Sequence, residues 1–347
     1  MIRYKVVFLL LIIALNISCS KKGVQSECGY EIDLLSGVMD SLGYSLFTDS
    51  IKYINLETTD SCLIGEITDM AISADRMFVF DKRRQTVWVF NQEGEFLSKI
   101  FKQGNGPGEY IRIVQFEYDE KNDQIVLLTW GSQLLYYTPE GEFLKTVKLG
   151  FSLTPSDFKI LPQGGFIFSQ AGWDKPTAGI YYVNDSGKEE QILVKRKENH
   201  LVYINSDWEL CSYDSTICFI SPNFENIVYH YENRELVTKY PFYMKPELKH
   251  DYMETVSMQH FEDFIRTGYV EGEKWILATY WSSVEDVRTF LFSKEKKKYW
   301  IGKYLVNDVD GVDRNANTSV SGNNTFVFWR EHENPDENPI IQVLYLK

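Results

Sequence analysis

The chain has 347 residues and a formal net charge of −13; 44% of it is hydrophobic, 24% charged and 15% aromatic. That composition suits a globular protein, either one large all-β domain or two average ones, and the aromatic content favours half-buried pleated surfaces. So acidic a chain, with no compensating basic stripe, excludes partners with a phosphate backbone, and nucleic acid is not an expected ligand.

Residues 1–18 read as an export signal. Arg3 and Lys5 precede Val6–Leu15, an unbroken apolar run of ten residues. That run is too short to span a bilayer as a helix. Asn16-Ile17-Ser18-Cys19 resembles the lipobox of bacterial lipoproteins, with Ser18 in the small position and Asn16 where leucine is usual. The resemblance implies lipidation of Cys19 and anchoring in the bilayer through acyl chains. The expected address is the bacterial outer membrane, facing either the periplasm or the outside. Residues 19–50 are then expected to form a tether. Export also permits disulfides. Cys28, Cys62, Cys211 and Cys218 remain, and Cys211 and Cys218 are close enough in sequence to face each other across a hairpin. They are read either as a bridge or as buried thiols. No Cys-x-x-Cys occurs, which leaves a redox motif or zinc knuckle without support.

From residue 51 the chain repeats. Val89–Leu97 aligns with Tyr136–Leu144 at an offset of 47, sharing Glu-Gly-Glu-Phe-Leu. Tyr182–Lys188 and Tyr229–Leu236 follow at similar spacing, with Asn233 in the glycine's place. Glycine and asparagine both tolerate the positive φ of a tight hairpin. Each unit has an upstream apolar strand: Arg76–Asp81, Gln124–Thr129, Gly165–Ser169 and Thr216–Ile220. Trp275–Thr279, Thr289–Ser293 and Tyr299–Ile301 make a fifth unit, and Thr325–Trp329 with Ile340–Leu346 part of a sixth. Several short strands per repeat of ~45 residues is the pattern of propeller blades. The strand missing from the sixth is expected from Ile51–Leu56, which would close the ring.

Between the first two units lies Phe101–Tyr110, FKQGNGPGEY. A phosphate-binding glycine loop opens a helix, whereas Ile111–Tyr118 alternates like a strand and Glu109 puts an acid where phosphate would sit. The stretch reads as a crossover between blades, with Gly106 among the glycines the path requires, and no nucleotide is expected. Trp130, Trp173, Trp208, Trp281 and Trp329 each flank a strand close to a loop. With Arg330 they are candidate ligand-binding residues, since clustered aromatic faces suit sugar rings or peptide side chains. Lys245–Gly268 has helical spacing and is expected as a helical insertion between blades four and five. None of the five histidines has metal-helix spacing, and no Gly-x-Ser-x-Gly elbow occurs. In Asn307–Asp313 the alternating acids Asp308, Asp310 and Asp313 resemble the start of a calcium loop, but Ser319 stands where its closing glutamate belongs. The stretch reads as an acidic turn between blades, with calcium as the alternative, and no other cofactor is expected.

Ile51–Thr58, Leu63–Ile67, Val87–Ile100, Gly104–Tyr110, Leu305–Gly311 and Asn338–Lys347 together resemble the six-bladed β-propeller lipoproteins of Bacteroidetes, relatives in shape of NHL-type propellers. The resemblance covers about residues 50–347 and implies an all-β six-bladed propeller in the cell envelope. The expected function is non-catalytic binding of a glycan, a peptide or an envelope protein at the rim or funnel. The alternatives are a hydrolase or lyase acting in the funnel, and a structural subunit of an outer-membrane assembly.

Overall fold

The computed structural model describes residues 29–150, 155–170, 179–195, 210–220, 226–245, 265–283, 286–311, 317–321 and 324–347. The N-terminal part contributes β1 (Tyr30–Asp33), β2 (Leu42–Gly43) and β3 (Thr48–Asn55), with one 3-10 turn over Tyr44–Leu46. Blade one follows as β4 (Asp69–Ile72), β5 (Arg76–Asp81), β6 (Thr86–Asn91) and β7 (Phe96–Ile100). Blade two is β8 (Ile113–Asp119), β9 (Gln124–Thr129), β10 (Gln133–Tyr137) and β11 (Phe143–Lys148). Blade three is β12 (Asp157–Ile160), β13 (Phe166–Gln170), β14 (Gly179–Val183) and β15 (Glu189–Lys195). Blade four is β16 (Cys211–Tyr213), β17 (Thr216–Ile220), β18 (Asn226–Glu232) and β19 (Glu235–Lys245). Blade five is β20 (Ile265–Glu271), β21 (Trp275–Ser283), β22 (Asp286–Ser293) and β23 (Lys298–Gly302). After the short β24 (Leu305–Val306), the last sheet has the order β25 (Asn317–Ser321), β26 (Thr325–Arg330), β27 (Ile340–Leu346) and β3. The protein is an all-β six-bladed propeller. The first strand of each blade neighbours its counterparts around the axis.

Two expectations are corrected. Residues 30–50 belong to the folded body, not to a tether. β1 adds to blade four as a parallel fifth strand beside β19, and β2 pairs with β24. Ile32, Leu34, Leu42, Tyr44 and Phe47 are fully buried there, and burying such side chains is worth roughly 1.5–3 kcal/mol each. The expected helix over Lys245–Gly268 is strand at both described ends, Lys245 closing β19 and Ile265 opening β20. Residues 246–264 lie outside the described residues. Among the described residues there is no α-helix.

The second strand of each blade is an apolar run because both its faces are buried, and strand alternation divides the run between two interfaces. In β5, Met77 and Val79 pack toward blade six while Phe78 and Phe80 pack toward blade two. In β9, Ile125 and Leu127 face blade one while Val126 and Leu128 face blade three. β26 does the same with Val327 and Trp329 against Phe326 and Phe328.

The repeated glycines have a specific task. Gly94, Gly141 and Gly187 sit in equivalent turns between the third and fourth strands, at φ +89°, +88° and +79°. A Cβ on Gly94 would lie 2.2 Å from the Asn55 carbonyl oxygen, and one on Gly187 2.4 Å from that of Lys148. Each of these carbonyls belongs to the outer strand of the preceding blade. In FKQGNGPGEY the demanding position is Gly108, at φ +73° with a Cβ position 2.4 Å from the Phe143 ring. Gly106 meets only the flexible Glu109 carboxylate, at 3.1 Å. That carboxylate accepts the Gly106 N–H at 2.8 Å, so the loop fills its own anion position.

Gly94→Ala is expected to destabilise the ring by about 2–4 kcal/mol, combining positive-φ strain with the clash against Asn55. Gly131→Ala is the control: its φ is +113° but nothing lies within 4 Å. It should cost about 1 kcal/mol, from backbone strain alone. Denaturant midpoints check the difference, and equal losses would remove the role given to the inter-blade contact.

Candidate functional site

Propeller connectivity sorts the turns by face. The turns joining strands one to two and three to four lie on one face; the turns joining strands two to three and the crossovers lie on the other. On the crossover face, in blade two, Ile111 and Arg112 lead into the inner strand β8, and Trp130 follows β9. The Trp130 N–H donates to the Arg112 carbonyl at 2.9 Å, tying the two segments together. The Arg112 guanidinium lies 5.6 Å from the Trp130 ring centroid, a cation–π contact. Trp130 remains 61% exposed and Ile111 68%, so an apolar surface stands open on the crossover face.

Deeper in, the inner strands carry charge. Glu117 of β8 and Lys159 of β12 form a close ion pair whose side chains are 15% and 14% exposed. Asp69 of β4 and Asp157 of β12 are near enough to act on both. Burial is the main influence on Glu117 and pushes its carboxyl up to about 7; Lys159 opposes this, and Asp69 and Asp157 add to it. Burial raises Asp157 to about 7 as well, again against Lys159. Burial disfavours the Lys159 charge, but Glu117, Asp157 and Asp69 outweigh it and hold the ammonium protonated. Three acids thus share one cation in a nearly dry place, and their protonation steps belong to the group. Asp157 has a structural duty too. It accepts the N–H groups of Phe158 at 2.7 Å and Leu210 at 3.1 Å, fixing the entry to blade four.

A second ionisable cluster lies between blades four and five, toward the opposite face. Glu271 is fully buried at the end of β20. It accepts from Tyr269 and Lys294, and His230 Nε2 lies 2.7 Å from its Oε1. Lys294 also donates to the Gly272 carbonyl at 2.7 Å and the Tyr213 hydroxyl at 3.2 Å. Burial works against the Glu271 charge, yet His230 and Lys294 outweigh it and keep its carboxyl below the usual range. This closed network joins two blades and offers no approach to a substrate.

Among the described residues the sequence-derived candidates do not converge. Trp329 is 6% exposed and packs in the core between blades six and one beside Trp88. Arg330 stands next to it in β26, on a different blade from Trp130. Trp281 lies in β21, opposite Ile265 and Val287. Trp173, Trp208, Asp313 and Cys19 lie outside the described residues. Asp308 and Asp310 fasten the N-terminal segment and do not face a common centre. Asp308 accepts from the Ser45 N–H at 2.9 Å and its hydroxyl at 2.6 Å, and Asp310 from the Tyr53 hydroxyl at 2.8 Å. Among the described residues no group of three or more His, Cys, Asp or Glu side chains is placed to hold a metal. The channel group of Asp69, Glu117, Asp157 and Lys159 was missed from sequence. Its one signal was charge alternating with aromatics inside first strands, as in Gln115–Asp119 and Asp157–Ile160.

Residues 30–342 match the model of a family described as Domain of unknown function (DUF4934). The chain belongs to that family. The match begins where β1 begins, so the family includes the segment that lies beside blade four. No curated protein matches the chain. Among solved structures, a Bacteroides fragilis protein described as exported is similar at TM-score 0.73 and 16% identity, over 91% of this chain and 99% of that one. A DUF4221 family member from Bacteroides vulgatus is similar at TM-score 0.50 and 9% identity, over 86% and 97%. At these identities the likeness is one of fold.

The channel acids set a pH dependence. Glu117 and Asp157 are raised from 4.5 and 3.8 in the unfolded chain to about 7. The folded state therefore binds protons more tightly, and its stability falls as pH rises from about 4.5 to about 7. Glu117→Gln should flatten this fall relative to wild type when unfolding midpoints are compared across that window. Identical slopes would mean that Glu117 titrates as a free carboxyl.

Proposed function

We propose that this DUF4934 protein is a lipid-anchored envelope propeller of the lipoprotein, NHL-like type, which binds a glycan or peptide, free or as part of an envelope protein, at the channel mouth without transforming it. The observation that carries this reading is the open Trp130–Arg112–Ile111 surface on the crossover face of blade two. An exposed aromatic backed by a guanidinium is a stacking platform for a sugar ring or a peptide side chain. On this reading the Glu117–Lys159 pair of the inner strands would be a source of oriented polar groups that select among ligands. Export is supported by residues 1–18 and by the description of the Bacteroides fragilis neighbour.

One observation favours a second reading. Two carboxyls held at about 7 in a channel suit a general acid for glycoside hydrolysis or elimination. On that reading Glu117→Gln abolishes turnover of a captured glycan while leaving its capture intact.

Trp130→Ala is expected to weaken binding of envelope-derived glycan or peptide fractions at least tenfold in a direct titration. Its unfolding midpoint should stay unchanged, because the ring is mostly exposed. Undiminished affinity would remove the platform from the site. Cys19→Ala should move the protein from the membrane fraction to the soluble envelope fraction, and continued membrane retention would dismiss the acyl anchor.

A further inference from the structure

The hairpin of β16 and β17 carries two thiols directly opposite each other. Cys211 and Cys218 are register partners, and Ser212–Ile217 and Tyr213–Thr216 are the pairs that follow toward the turn. Opposed residues of an antiparallel pair have Cα atoms about 4.5–5.5 Å apart. Disulfides span Cα separations of roughly 4.4–6.8 Å. The turn is tight, with Asp214 at φ +49°, so the register has little room to slip. Cys211 and Cys218 are buried, separate thiols in the structure, each within hydrogen-bonding reach of the other. Cys62 differs: it is buried, and its Sγ lies 3.9 Å from the Asn338 amide nitrogen.

We infer that Cys211 and Cys218 are joined by a disulfide in the exported protein, fastening the inner strand of blade four. The inference rests on the export reading above, because only an oxidising compartment maintains such a bond. β16 is the part of the ring that most needs a fastening. It spans three residues, the fewest of any blade strand among the described residues. It also carries Tyr213, whose hydroxyl receives Lys294 in the buried Glu271 network.

The chemistry is thiol–disulfide exchange. One cysteine, as its thiolate, attacks a sulfur of an external disulfide, of the glutathione type or in a thiol–disulfide oxidoreductase, and expels one thiolate. The other cysteine, also as its thiolate, attacks the resulting mixed disulfide at the protein sulfur and expels the second. Two protein thiols are oxidised, two external thiols are produced, and the two protons released pass to them. Burial pushes the Cys218 thiol well above its usual range, so exchange belongs to the folding chain, before the interface with blade five closes over it.

The test uses the full chain in two arms. Cells are lysed into N-ethylmaleimide, the protein is recovered from each cell fraction, and peptides are mapped without reduction. Envelope protein is expected to show a Cys211–Cys218 crosslink, whereas maleimide on both residues in that fraction overturns the inference. Recovery from the cytosol alone would refute the export reading, and the second arm then decides the bond separately. Reduced, unfolded chain is refolded with a glutathione and glutathione-disulfide mixture. The same crosslink should form, and dithiothreitol should then lower the unfolding midpoint of wild type and C62S but not of C211S or C218S. Alkylatable Cys211 and Cys218 after refolding, or equal sensitivity to dithiothreitol in all four proteins, would overturn it.

Discussion

The ring depends on a contact made again at successive blades: a turn glycine laid against the backbone of the blade before it. Gly94 lies on Asn55 and Gly187 on Lys148, with no room for a methyl group. Hydrogen bonds run through the same joints, from the Glu57 N–H to the Gly94 carbonyl and from the Gly150 N–H to the Gly187 carbonyl, each at 2.8 Å. These joints set how closely successive sheets approach at their outer ends. Only at that spacing do Phe78 and Phe80 of one blade reach Ile125 and Leu127 of the next. Most of the stabilisation is apolar burial between blades, but the turn glycines decide where that burial is available.

The two charged clusters show how similar side chains serve different ends. Glu271 has a lysine, a histidine and a tyrosine around one carboxylate, and every partner comes from blade four or five. A buried charge so surrounded stays ionised and adds little net stability over an apolar pair, though removing one partner is costly. Its effect is to specify which strands meet. In the channel the ratio is reversed, with Asp69, Glu117 and Asp157 around one Lys159. Carboxyls in excess over cations, with little water, move toward neutral pH and can exchange protons or accept a ligand's donor. Stoichiometry, rather than residue type, separates the two clusters electrostatically.

The strands were legible because burial on both faces writes a continuous apolar run, and β5, β9 and β17 fall on the residues read from sequence. The turn glycines were legible because close approach to a neighbouring backbone leaves no alternative. The tryptophans were not. Trp130 follows a second strand and is open, while Trp329 lies within one and is core. A shift of one or two residues past a strand end separates the two, which sequence flanks alone did not resolve. The inner-strand acids were hidden because four residues from three successive blades become a group only when those blades pack together. The acids of Asn307–Asp313 looked like ligands because calcium loops and structural turns use the same carboxylates. Here Asp308 faces Ser45, and Gly43 leaves room for it: a Cβ there would lie 2.1 Å from Asp308 Oδ2.

The folded N-terminal segment also constrains how the molecule sits on a membrane. With the acyl anchor proposed at Cys19, only the residues up to Tyr30 separate the bilayer from β1. A chain of that length reaches at most on the order of 35–40 Å, even fully extended. β1 lies on the outer edge of blade four, so an anchor at Cys19 would tether the ring by this edge. Trp130 belongs to blade two, a different blade from the one that carries β1. A tether reaching residue 50 would have imposed no such orientation. By pairing β1 with β19 and β2 with β24, the chain holds these two strands against the folded ring.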